Sequence, residues 1–243
     1  MDVFAMVRGL LVGVVLAVGT ASPATAGPLD DGAAAFERGD YATALLLLRS
    51  LAENGEAAAQ RMLGTMYHDG KGVPRDSVEA ARWFQKAASS GDDQAQFSLG
   101  LAYYYGDGVA EDATEAVQWL ERAAEQGRVA AQTMLGTIYA SGRFAGHDNV
   151  EAAKWYRRAA RQRDAAAQFA LGRLYYDGDG VPQDFLLAHV WISLAISSAD
   201  DIFTRPTMGA IREGLVAKMT PDQVAEAQRL AWDCLSSNYT DCP

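Results

Sequence analysis

The chain is poor in the residues from which catalytic and metal centres are usually built. It has three histidines, His68, His147 and His189, and two cysteines, Cys234 and Cys242. No His-x-x-x-His pair, no His-x-Glu and no histidine beside a cysteine occurs, so the spacings that hold zinc are missing. Serine offers neither a Gly-x-Ser-x-Gly elbow nor a Ser-x-x-Lys pair. There is no P-loop and no Gly-x-Gly-x-x-Gly after a strand. Asp177-Gly178-Asp179-Gly180 has the acids of a calcium loop but not the set spacing ending in Glu. A basic excess is also absent. Lys and Arg number 21 against 31 Asp and Glu, a net charge of −10 that disfavours phosphate backbones and anionic lipid surfaces. These absences predict no cofactor, no metal and no nucleic-acid partner. The acidity leaves a partner with a basic surface as the sharper alternative to mere solubility.

Long apolar runs are also lacking after the first residues. Gly9 to Val18 is apolar or small, but a bilayer crossing needs about 20 residues. Arg8 before this run and Ala24-Thr25-Ala26 after it complete the pattern of a cleaved secretory signal peptide. Residues 1–26 are therefore expected to be a signal peptide, with the mature chain starting at Gly27 and no stable membrane span thereafter. No cysteine follows the cleavage site, which argues against a lipid anchor. Removal takes one acid, Asp2, and one base, Arg8, so the charge is unchanged. The expected location is periplasmic or secreted. Asn238-Tyr239-Thr240 is a glycosylation sequon, meaningful only in a eukaryotic secretory route. In an oxidising compartment a Cys234–Cys242 disulfide is the default, with two free thiols or a metal site as alternatives.

What the chain does have is a period. Leu-Gly recurs at 63–64, 99–100, 135–136 and 171–172, each step being 36 residues. Trp83, Trp119, Trp155 and Trp191 keep this step, as do Tyr67, Tyr103, Tyr139 and Tyr175 and the Ala-Gln pairs ending at Gln60, Gln96, Gln132 and Gln168. A fixed period of this length, without gaps, predicts a solenoid. Each unit reads as two helices. In the first, Gln60, Leu63, Gly64 and Tyr67 share one face. Glycine inside a helix costs about 1 kcal/mol relative to Ala, so its recurrence predicts close approach of the partner helix. Gly70, Gly106 and Gly178 then terminate the helix.

The second helix opens with Asp76, Asp112 and Asp148, each followed three residues later by Glu79, Glu115 and Glu151. That spacing predicts reciprocal capping boxes, and Leu187 after Asp184 predicts a cap half as good in the fourth unit. Ala80, Trp83, Phe84, Ala87 and Ala88 form the buried stripe, with Gly91 as the stop.

The pattern Ala-Gln-x-x-Leu-Gly-x-x-Tyr, the Gly-x-Gly-Val-x-x-Asp loop and Ala-x-x-Trp followed by Ala-Ala resemble the Sel-one-like repeat family, relatives of tetratricopeptide repeats. The resemblance spans Ala57 to Asp200 as four units. It implies an all-α, right-handed α-solenoid of helix-turn-helix repeats. The third unit departs where Ser141-Gly142-Arg143-Phe144-Ala145-Gly146 replaces the loop at equal length. Residues 27–56 are expected to be a tetratricopeptide-like capping half-repeat. Residues 201–243 are expected to be C-terminal capping helices and a cysteine tail, with a capping box at Thr220-Pro221-Asp222-Gln223.

Family resemblance further implies a monomeric, non-enzymatic adaptor, scaffold or regulator that binds another protein, as exported bacterial members are described to do. Its alternative is a weak β-lactamase or penicillin-binding hydrolase, as described for cysteine-rich relatives. Those relatives staple repeats through cysteines eight apart, the spacing of Cys234 and Cys242. In tetratricopeptide-like stacks the first helix of each unit lines the concave face. Residues about 120° from the core face should then look into the groove. These are Arg61, Thr65 and His68; Gln94, Phe97, Leu101 and Tyr104; Thr133, Thr137 and Ala140; Phe169, Arg173 and Tyr176. The alternative for Phe97 and Phe169 is packing against the next helix.

Overall fold

The structure is a computed structural model that describes residues 27–143, 146–200 and 204–243. The expected signal peptide at 1–26 lies outside the described residues. The described residues form twelve helices: α1 (Pro28–Glu37), α2 (Tyr41–Glu53), α3 (Ala57–Asp69), α4 (Ser77–Ser89), α5 (Asp93–Tyr105), α6 (Ala113–Glu125), α7 (Val129–Ser141), α8 (Asn149–Ala160), α9 (Ala165–Asp177), α10 (Phe185–Ser198), α11 (Thr204–Val216) and α12 (Pro221–Ser236). Each helix from α1 to α11 packs on its neighbours in chain order, and α12 turns back onto α10. This is an all-α solenoid. The pairs α3/α4, α5/α6, α7/α8 and α9/α10 are the four repeats. The segment 27–56, read above as a half-repeat, contributes both members of a shorter helix pair.

The apolar landmarks of the sequence make the core. Leu63, Leu99, Leu135 and Leu171 are fully buried, and Trp191 is as well. Trp83, Trp119 and Trp155 bury all but their rims. Those rims are covered by a cation one turn on: Lys86, Arg122 and Arg158 lie 3.9, 4.3 and 4.6 Å from the respective rings. In the fourth unit the same position is Leu194, itself buried. There the solenoid is covered by the terminal helices, and a charge would be desolvated.

The recurring glycine makes room chiefly for a side chain. A β-carbon at Gly64 would lie 2.7 Å from the Phe84 ring, at Gly100 2.7 Å from Leu120 Cγ and at Gly172 2.7 Å from Ile192 Cγ1. The partner backbone is close too, with the Ala80 and Ala116 carbonyl oxygens 3.3 and 3.2 Å from the first two positions. Gly70, Gly106, Gly142 and Gly178 end the first helices in the left-handed conformation. Gly108 and Gly180 have a different role. Their loops lie against the first residue of the preceding unit's second helix, so that a β-carbon would overlap the backbone of Ser77 or Asn149.

The caps differ from the expectation. Asp76, Asp112 and Asp148 accept from the amides of Glu79, Glu115 and Glu151, as an N-cap acid should. The glutamates do not return the bond. The aspartate amides already donate to the carbonyls of Tyr67, Tyr103 and Tyr139, at the end of the first helix of the same unit. Glu79 and Glu151 instead pair with Arg82 and Lys154, while Glu115 accepts from Trp119 Nε1. The fourth unit has the same cap as the others, because Asp184 donates to Tyr175 and accepts from Leu187 N–H. The expected half-strength cap is corrected accordingly. Only Thr220 and Gln223 of the expected boxes make both bonds.

Candidate binding groove

The buried glutamines join the units and hold the first helices in register. Nε2 of Gln60, Gln96, Gln132 and Gln168 donates to the carbonyl eight residues earlier, Ala52, Ala88, Ala124 and Ala160. Each of those carbonyls belongs to the last turn of the preceding unit, where helix carbonyls lack internal partners. Gln126 and Gln162 extend the network by donating to Gln96 and Gln132. Two inter-unit ion pairs run alongside, Arg61–Asp92 at 3.0 Å and Arg128–Asp93 at 2.7 Å.

With α3 and α5 so fixed, a groove of 530 Å³ opens between them, floored by α4. Thr65 and His68 form one wall, Gln94, Ser98, Leu101 and Tyr105 the other, and Ala80, Ala81 and Phe84 the floor. Asp107 closes one end beside Ser77. His68 bridges two carboxylates, with Nδ1 2.8 Å from Asp69 and Nε2 3.4 Å from Asp107. Burial pushes the Asp69 carboxyl up, but hydrogen bonds from His68 and Lys71 outweigh it and leave the group below its ordinary value. Tyr105 is 63% exposed, a large apolar ring turned toward solvent at the groove's rim.

The residues expected to face this groove are distributed as follows. Thr65, His68, Gln94 and Leu101 line it. Arg61 is half-buried in its pair with Asp92. Phe97 and Phe169 are half-buried and packed on apolar cores, the alternative left open for them. Tyr104 is 7% exposed, under the guanidinium of Arg143 from the next unit. Thr133 and Ala140 are half-buried, and the Thr133 hydroxyl has no hydrogen-bond partner. Thr137 is exposed and accepts from the Tyr156 hydroxyl. Arg173 is exposed, and Tyr176 lies against Phe185 and Lys218. Ser98, Tyr105 and Asp107 escaped the sequence reading. Tyr105 carried a usable signal, since it follows Leu101 by one helical turn as Leu101 follows Phe97.

A second cavity, of 340 Å³, lies where α10, α11 and α12 meet and is lined by His189, Ser193, Arg212 and Trp232. His189 Nδ1 is 3.5 Å from Ser193 Oγ. Burial, and then the Arg212 charge, hold this imidazole below its ordinary pKa. Among the described residues no carboxylate hydrogen-bonds to His189. No group of three or more potential metal ligands occurs among the described residues. Cys234 and Cys242 form a disulfide with a Cα–Cα separation of 4.7 Å. No described helix is long and apolar enough to cross a membrane.

A gap-free array of helix pairs with an open groove between α3 and α5 defines an all-α solenoid. The Sel1 repeat model matches residues 57–92, 93–127, 129–164 and 165–200, and the chain belongs to the Sel1 repeat family. Repeats of this family generally form non-enzymatic scaffolds that mediate protein–protein interaction. A Sel1 repeat protein from Oxalobacter formigenes is 34% identical, with a TM-score of 0.66, over 71% of this chain and 70% of its own. A protective antigen present in uropathogenic Escherichia coli strains, displaying an SLR fold, is 32% identical with a TM-score of 0.72. That match covers 87% of this chain but only 47% of the antigen. Comparison with curated proteins gave no significant match.

Proposed function

We propose that the protein is an exported interaction module that binds a segment of another protein along the concave face formed by α3, α5, α7 and α9. The observation that carries this reading is the open groove between α3 and α5, where Leu101 and the exposed Tyr105 stand over a floor of small residues and Phe84. Aromatic residues such as tyrosine are enriched at binding hot spots. Export is supported by the N-terminal pattern and by the disulfide, since such bonds persist in oxidising compartments. The partner is an envelope or secreted protein, and the chain serves as its adaptor, scaffold or regulator.

The test is site-resolved photo-crosslinking in the native envelope. A photoreactive phenylalanine in place of Tyr105 should yield a discrete adduct, and the same group at the exposed Arg82 of α4 should not. The Leu101→Arg change should abolish that adduct while leaving the circular dichroism spectrum intact. Adducts of equal yield from both positions, or an adduct indifferent to Leu101→Arg, would move the docking face elsewhere.

A further inference from the structure

The repeat makes the chain its own control for what the groove accepts. The last turn of the first helix meets the following unit's loop in the first and second units and the terminal segment in the fourth, and these pairs can be compared directly. In the second unit Tyr104 meets Arg143, whose guanidinium lies 4.7 Å from the ring centre. In the fourth unit Tyr176, together with Phe185, meets Lys218 of the terminal segment, at 4.7 and 5.2 Å. Both junctions are occupied by a cation that the chain itself supplies.

In the first unit the corresponding positions differ. His68 stands where Tyr104 and Tyr176 stand, and Ser77 stands three periods before Phe185. The loop residue that corresponds to Arg143 is Asp107, an acid. Among the described residues no lysine or arginine lines this junction; its charged or ionisable groups include His68, Asp69 and Asp107, with Lys71 paired to Asp69. It is also the junction that opens into the 530 Å³ groove. A position filled by an internal cation in the second and fourth units is open here, with His68 and Ser77 where the fourth unit has Tyr176 and Phe185.

We propose that this junction takes a cationic side chain from the partner, an arginine or lysine. Its head reaches Asp107 between His68 and Ser77, and its stem and apolar neighbours lie on Leu101 and Tyr105. The inference rests on the concave-face reading above and specifies the chemistry of what docks there. A charged head with a long apolar stem matches a groove that is acidic at one end and apolar along its floor. Arginine adds planar pairing with a carboxylate. The net charge of −10 favours approach of such a segment.

The test uses capped tripeptides titrated into the protein comprising residues 27–243, observed by amide chemical shifts. Acetyl-Leu-Arg-Leu-amide should shift the signals of His68, Leu101, Tyr105 and Asp107. The same peptide with citrulline, which keeps the shape and loses the charge, should bind about ten-fold more weakly, as should the arginine peptide to an Asp107→Asn variant. An Asp179→Asn variant, altered at the corresponding loop position of the fourth unit, should bind like the parent. Equal binding of the arginine and citrulline peptides, shifts centred away from the first groove, or no shifts at millimolar peptide would each overturn the proposal. Adducts from Tyr105 without arginine-dependent peptide binding would sink this inference alone. Loss of the Tyr105 adduct would count against the docking face itself.

Discussion

The amide of Asp76 donates to the carbonyl oxygen of Tyr67 at 2.8 Å, tying the start of α4 to the end of α3 across the glycine loop. The same bond joins Asp112 to Tyr103, Asp148 to Tyr139 and Asp184 to Tyr175. It satisfies a helix-end carbonyl and the amide that a capping glutamate would otherwise take. Asp76→Ala should therefore cost about 1 kcal/mol, the usual worth of an N-cap side chain. Glu79→Ala should cost less than about 0.5 kcal/mol, since it removes only an exposed pair with Arg82 and a favourable dipole contact. Urea denaturation of the two variants decides it. Equal losses would restore the reciprocal box.

The tryptophan position is where the array holds together. Trp119 is in contact with the core that includes Phe84 and Ala87 of the preceding unit and Leu99 of its own, and its Nε1 donates to Glu115. Trp119→Ala should cost about 3–5 kcal/mol, as truncation of a buried aromatic does. Because neighbouring units stabilise one another, the loss should appear as a lower denaturation midpoint for the array, with amides of α4 and α5 exchanging faster as well as those of α6. An unchanged midpoint would mean that the ring is not part of the core.

The repeat, its helix pairs and the core face were legible because each is set by residues close together in sequence and repeated four times. The partners of those residues were less so. Ala-Gln announced a position, but the glutamine's bond goes to a carbonyl eight residues back in the preceding unit, outside its own helix. Capping boxes were read from spacing alone, and spacing does not show that Tyr67 already holds the Asp76 amide. Tyr104 and Tyr105 were separable only with the next unit in place. Arg143 arrives from that unit to cover Tyr104, and the neighbouring ring is left at the groove's rim.

The C-terminal cap carries a pH dependence whose sign follows from His189. Burial, followed by the Arg212 charge, lowers its folded pKa below the ordinary value of 6.5. The unfolded chain then takes up a proton that the folded chain refuses as pH falls below 6.5, so stability is lost over that range down to the lowered folded value. His189→Gln should flatten the dependence of the denaturation midpoint as pH falls below 6.5, whatever it does to the midpoint at pH 8. A slope that survives the substitution would assign the acid sensitivity to other groups.

One residue breaks the pattern of the turns between units. Gly55, Gly91 and Gly127 have φ of 96°, 93° and 92°, and the equivalent fourth position is Arg163, at φ 70°. A side chain in the left-handed region costs about 1–2 kcal/mol. Arg163 recovers part of this by placing its guanidinium 5.4 Å from the Tyr239 ring centre. That ring is anchored in turn through its hydroxyl to Ser198 and lies between the two bridged cysteines in sequence. An exposed cation–π contact is worth about 0.5–1 kcal/mol, less than the backbone cost. Arg163→Ala keeps the strained backbone and loses the contact, and it should destabilise by about 0.5 kcal/mol. Arg163→Gly loses the contact but relieves the strain, and it should exceed the alanine variant by about 1 kcal/mol. The order expected from thermal melts is therefore Gly at or above Arg, with Ala lowest. If the alanine and glycine variants melt together, the left-handed turn at 163 carries no cost and the contact with Tyr239 alone explains the arginine.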